Sequence, residues 1–212
     1  FNEGFSENIL LKNRPSLVDG AIYDLKYFAS DFAGNTSDTV HIRNILYDVT
    51  PPEISILSPG NNTITTLTNI TFFLSEDIAS GRIEWGGTGS GGESLLEFFD
   101  LTAEAARIGT HESDTYVIPD LVDGGNYSIT ISGTDPAGNE ALPVSITDYL
   151  VDRTPPEFSE LFPISDSYIN SEEIGFTVSE DLASGRVTFS GKNAFSAELT
   201  GSELKEGTFP QG

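Results

Sequence analysis

The chain has 212 residues and no cysteine, and it carries 33 acidic against 10 basic side chains, a net charge of −23. Such a surface repels nucleic acid and anionic lipid and attracts cations, and the missing thiols exclude disulfides and thiolate metal centres. With 37% hydrophobic residues, 14 of the residues being Phe, it can bury a core, whereas no apolar run approaches the roughly 18 residues of a membrane span, so no membrane insertion is expected in this segment.

Apolar residues alternate with a period of two, and no long stretch has a helical period. "ENILLK" (7–12) reads as a first strand, and "YDLKYFAS" then sets Tyr23, Leu25 and Tyr27 on one face. "DFAGN" (31–35) is a turn, and "DVTPPE" (48–53) is a stiff extended connector because neither Pro51 nor Pro52 can donate to a ladder. "NITFFLSED" puts Ile70, Phe72 and Leu74 on an inner face, followed by "SEDIASGR" (75–82) and "GRIEW". "LTAEAARIG" (101–109) has the Ala and Glu of a short helix or turn between strands. "YSITIS" aligns Tyr127, Ile129 and Ile131, "DPAGN" (135–139) turns, and "VSITDYL" leads to "DRTPPE" (152–157) with Pro155 and Pro156. "GFTVSED" continues the face of Ile174 through Phe176 and Val178, and "SEDLASGR" (179–186) closes the series.

Three motifs therefore return at one spacing of 104 residues, which marks a tandem repeat. Alternating strands with Gly, Pro, Asn and Asp turns at short intervals predict an all-β fold of tandem Greek-key β-sandwiches, each about 104 residues long. "LVDGAIY" and "LVDGGNY" resemble the tyrosine corner of such sandwiches, giving Tyr23 and Tyr127 a structural role. The Pro pairs set the boundaries: 1–49 is the rear part of a repeat (strands E–G), 50–152 a complete repeat, and 153–212 a front part (strands A–C/D).

With strands lettered A, B, C, E, F and G, the B–C loop, the F–G loop and the start of A share one pole. Asp48, Glu53, Glu76, Asp77, Asp135 and Asn139 then gather at the first junction, approached by Asp19 from the preceding E–F turn. Asp152, Glu157, Glu180 and Asp181 repeat the set at the second, approached by Asp123. So many oxygens with few bases suit Ca2+, a hard cation taking six to eight oxygen ligands. Turn chemistry explains the same residues without an ion: Asp and Asn bond local backbone, Gly takes positive φ, and Arg82 pairs with Glu76 or Asp77. Both readings stand at this point.

Asn35, Asn61, Asn69 and Asn126 are glycosylation sequons. Trp85, the only Trp, stands beside a Gly-rich segment, either as a sugar-stacking platform or, like Phe189 at the matching position, in a core or edge role. His41 and His111 lie near no Ser or Cys motif, and the repeated acids occur more than once, so no enzyme is read here.

"TPPE…FTVSEDLASGRVTF…LTGSELKEGTF" and "LVDGAIYDLKYFASDFAGN…D.TPPE" resemble the bacterial Ig-like, cadherin-like repeats of long secreted or surface proteins. The resemblance covers nearly the whole chain and departs between Gly86 and His111. It implies a structural repeat of an extracellular fibre, filament or adhesin stalk, at the cell surface or outside it, with Ca2+ between units in some families. The alternatives are a carbohydrate- or protein-binding adhesive module and an accessory domain of a secreted hydrolase. The expected partners are neighbouring copies or repeats of the same protein. Because the front and rear parts add up to one unit, the rear of one chain completing the front of another would give a head-to-tail polymer; a segment of a longer continuous array explains the same ends.

Overall fold

A computed structural model describes residues 14–209, so the strand expected in "ENILLK" lies outside the described residues. The chain divides at the second Pro pair into two compact units, Phe1–Asp152 and Arg153–Gly212. Among the described residues no helix is long and apolar enough to cross a membrane.

Among the described residues the first unit begins with an antiparallel hairpin, β1 (Ala21–Tyr27) and β2 (Val40–Tyr47), joined through the "DFAGN" turn. The middle sandwich follows: β3 (Ile54–Ser58), β4 (Ile64–Thr65), β5 (Thr71–Leu74), β6 (Ser80–Thr88), β7 (Ser94–Asp100), β8 (Gly109–His111), β9 (Asn126–Thr134) and β10 (Val144–Val151). One sheet has the order β3-β5-β8 and the other β4-β10-β9-β6-β7, an Ig-like sandwich. A single 3-10 turn, Ala103–Ala106, fills the stretch with helical composition. β4 joins β10 in parallel, Ile64 opposite Leu150 and Thr65 opposite Val151, while the other pairings in these two sheets are antiparallel.

The pleat sends every second residue inward. Ile70, Phe72 and Leu74 meet Ile83, Trp85, Ile129, Ile131 and Tyr149 from the facing sheet, and all eight are 0% exposed. Each such side chain contributes about 1.5–3 kcal/mol on leaving water. Trp85 packs edge-on against Tyr149, 6.3 Å between ring centroids. The core role offered for it therefore holds, and Trp85 provides no sugar platform.

Two tyrosines fix the strands that follow the E–F turns. Val18 N–H donates to Tyr23 Oη at 2.7 Å, and Val122 N–H donates to Tyr127 Oη at 2.9 Å. Each bond spans five residues, so it closes the turn onto the strand that leaves it.

The second unit comprises β11 (Phe158–Phe162), β12 (Gly175–Val178), β13 (Arg186–Phe189), β14 (Phe195–Glu198) and β15 (Gly207–Phe209), with a 3-10 turn at Gly201–Leu204. Its sheets are β11-β12-β15 and β13-β14. Beside the strands A–C/D expected of a front part it carries β15, which pairs with β12 as β8 pairs with β5. The Gly-rich loop after "GRIEW" has no equivalent here, so β14 and β15 follow sooner than a fixed 104-residue step predicts. Phe176, Val178 and Leu199 form its core.

Candidate cation site at the first junction

Three consecutive residues of "SEDIASGR" face three different neighbours. Ser75 holds the start of strand A: Glu53 N–H donates to Ser75 Oγ at 2.8 Å, and Ser75 N–H to Glu53 O at 3.0 Å. Asp77 turns to the approach of β8, where Oδ1 accepts Ile108 N–H and Oδ2 accepts Arg107 Nη1, each at 2.8 Å. Those donors, Ile108 first, hold its carboxyl below the usual range. Glu76, between them, is left for the junction.

The second unit repeats the division. Glu157 N–H donates to Ser179 Oγ at 2.9 Å, while Asp181 accepts Lys205 Nζ at 2.7 Å and Glu206 N–H at 2.9 Å. The glycine of the motif is a packing requirement. A Cβ on Gly81 would lie 2.6 Å from Ile78 Cδ1 and 2.8 Å from Ser132 O, and one on Gly185 would lie 2.6 Å from Leu199 Cδ1. The arginine points away from the loop: Arg82 sits 5.1 Å from the Phe98 ring centroid, and Arg186 Nε is 3.4 Å from Glu198. Arg82 thus does not pair with Glu76 or Asp77, because its strand carries it along β6 towards β7.

Asp135 opens the F–G turn and is 2% exposed. Its carboxylate accepts Asn139 N–H at 2.8 Å and Asn139 Nδ2 at 2.7 Å, and Asn139 Nδ2 also donates to the main-chain oxygen of Asp48 at 3.2 Å. Burial pushes the Asp135 carboxyl up, but the Asn139 donors outweigh it and the net shift is downward. Asp19 accepts Val49 N–H at 2.8 Å and the Thr50 hydroxyl, so the E–F turn grips the linker.

The outcome is a triad. Asp48, Glu76 and Asp135, from the linker, the B–C loop and the F–G loop, each place a carboxylate oxygen within 4.8 Å of the others. Asp48 and Glu76 border an open cleft of about 320 Å³ that also reaches Leu46, Asp77, Pro136 and Ala137. Burial raises the Glu76 carboxyl, and the charges of Asp48, Asp135 and Asp19 raise it further. Hard oxygens under mutual repulsion are the donor chemistry of a site for Ca2+.

Residues 13–157 match the family described as bacterial Ig-like domain (group 3). The chain belongs to that family. Among solved structures, one described as a tetra-tandem repeat in the extending region of a large adhesion protein is similar at 20% identity, over 92% of this chain and 49% of its own, with a TM-score of 0.33. The chain thus spans about half the length of that structure. No curated protein matches it.

The remaining candidates of this bacterial Ig-like chain fall elsewhere. Asp77 and Asp181 are engaged by their own cation and backbone partners, outside the triad. Glu53 is held by its backbone, and Asn139 acts as a donor that braces the turn. Asp152 ends the first unit, its N–H donating to Thr65 O at 2.9 Å, whereas Glu157 and Glu180 belong to the second. The sequons Asn35, Asn61, Asn69 and Asn126 are exposed, although Asn35 Nδ2 donates to Asp31 at 2.8 Å and Asn61 Oδ1 accepts Thr147 N–H at 2.9 Å. His111 is buried against Phe72 with Nε2 2.7 Å from Arg107 O, and His41 lies 3.4 Å from Arg43.

Sequence reasoning passed over Ser75, Thr50 and the pair Arg107 and Lys205. A signal existed for the last two: in each unit a basic residue stands two places before the Gly that opens the E strand.

Proposed function

We propose that this chain is a structural segment of an extracellular stalk or fibre at a cell surface, and that Ca2+ held by Asp48, Glu76 and Asp135 stiffens its first junction. The convergence of three carboxylates from three separate elements carries this reading. Tandem Ig-like units, Pro-Pro connectors and a surface of net charge −23 suit an extended, soluble spacer. The role is mechanical and not enzymatic. A bound cation neutralises the triad and joins linker, B–C loop and F–G loop through one centre, while Asn139 and Asp19 orient the linker around it. With Trp85 buried, the adhesive-module alternative has no aromatic platform at that position.

Thermal unfolding in chelator and then in excess Ca2+ tests the reading. A ligand bound only by the folded state adds about 2.7 kcal/mol at a hundredfold excess over its dissociation constant. Wild type is expected to gain melting temperature with Ca2+. Glu76→Gln is expected to melt higher than wild type in chelator, because repulsion is relieved, yet to gain little from the ion. An unchanged wild-type transition would leave the acids as turn chemistry and solubility.

A further inference from the structure

We infer that the outer face of the middle sandwich carries a groove for a single neutral hexose ring, with Arg82, Asp100 and Ser132 along one side and Ser80, Thr134 and Glu140 along the other. This goes beyond the stalk reading and does not depend on the cation.

Strand pleating lays the groove out. β6 turns Ile83 and Trp85 into the core, where both are 0% exposed, so its alternate residues Ser80 and Arg82 face outward. Register then fixes their neighbours. Arg82 stands opposite Asp100 on β7 and Ser132 on β9, and Ser80 stands opposite Thr134, which bridges to Glu140 after the F–G turn. Each row of three spans two strand spacings, about 10 Å, and the rows lie about 7 Å apart. All six residues line one groove of about 480 Å³, a volume in the range of small-ligand sites. Every one belongs to the complete repeat and to the described residues.

The charges of the groove are kept apart. Arg82 and Asp100 are cross-strand neighbours, yet Arg82 lies over the Phe98 ring at 5.1 Å. Among the described residues no hydrogen bond or ion pair engages any of the six side chains. In the second unit the same position is closed. Arg186 stands opposite Glu198 and pairs with it at 3.4 Å, and the residue matching Phe98 is Ser196, which offers no ring. Phe98 thus holds the guanidinium back and leaves both Arg82 and Asp100 to a ligand.

The donor set selects that ligand. One guanidinium beside two carboxylates, on a chain of net charge −23, disfavours an anion. Besides two glycines, Ala141 and Pro143 supply the apolar lining, too little to seat an apolar ligand. A sugar hydroxyl both donates and accepts. Neighbouring hydroxyls can therefore receive the Arg82 fork while giving their protons to Asp100 and Glu140, and Ser80, Ser132 and Thr134 complete the set.

Amide NMR of the isotope-labelled chain, titrated in chelator with the methyl glycosides of glucose, galactose and mannose, tests this apart from the cation reading. At least one glycoside is expected to shift the amides of residues 80–82 and 132–134 saturably, with a dissociation constant on the order of 1 mM. Sulfate and glycine are expected to shift none of them. Arg82→Gln and Asp100→Asn should each weaken the binding about tenfold. Phe98→Ser is expected to let Arg82 close on Asp100 and to weaken it similarly, whereas Phe98→Tyr, which keeps the ring, should bind as the unmodified chain does. The spread of amide signals shows that each variant is folded, and the unmodified chain needs no substitution. No saturable shift at these amides with any of the three glycosides, equal shifts with glycine, or undiminished affinity in folded Arg82→Gln would overturn the proposal.

Discussion

Asn139 donates to the main-chain oxygen of Asp48 from 91 residues further along the chain, at 3.2 Å, with the same amide nitrogen that holds Asp135. One side chain thereby ties the F–G turn to the linker. Asn139→Ala removes both bonds and leaves the Asp135 carboxylate, 2% exposed, with fewer donors. The expected loss is about 1–3 kcal/mol, measured by urea unfolding in chelator.

Asp77 and Asp181 are both held below their ordinary value of 3.8, Asp77 chiefly by Ile108 N–H and Asp181 chiefly by Lys205. A folded-state value below the unfolded one means stability that is present above the ordinary value and lost as pH falls through the lowered one. The double variant Asp77→Asn/Asp181→Asn is therefore expected to be less stable than wild type at neutral pH. Its stability should also fall less steeply below about pH 4, the ordinary carboxylate range. Urea midpoints across a pH series check both slopes.

Two glycines of the repeated motifs are expected to fail differently. Gly81→Ala drives a methyl against the Ser132 carbonyl at 2.8 Å; backbone cannot step aside, so a loss of about 1–3 kcal/mol follows. Gly138 has φ +95 and nothing within 4 Å of a Cβ, so Gly138→Asn is expected to be the milder change, on the order of 1 kcal/mol. Thermal melts of the two variants, side by side, decide it.

Tyr127→Phe keeps the buried ring but leaves Val122 N–H without the acceptor it has at 2.9 Å. About 1 kcal/mol of destabilisation is expected. Hydrogen exchange should show faster opening of the E–F turn while the amides of β9 stay protected.

What the sequence disclosed follows from where the physics is local. Ile70, Phe72 and Leu74 are legible because strand pleating writes a period of two into residues that must all be buried, and the Asp-x-Ala-Gly-Asn turn because its hydrogen bonds span four residues. β7 escaped notice because Leu96 and Phe98 are exposed on it, so no clean alternation survives. The roles within Ser75-Glu76-Asp77 were hidden for another reason. Which acid faces the junction depends on Arg107, 30 residues on and beyond a loop of different length in each unit.

The parallel pairing of β4 with β10 governs how the middle sandwich answers tension. Leu150 N–H donates to Thr63 O and Asp152 N–H to Thr65 O, each at 2.9 Å, and these bonds join the entry side of the domain to its exit. A pull between Thr50 and Asp152 drags the two strands past each other lengthwise, so the bonds are loaded together in shear. An antiparallel hairpin pulled from its open end would instead unzip one bond at a time. The sandwich thus resists a pull applied between its own two ends.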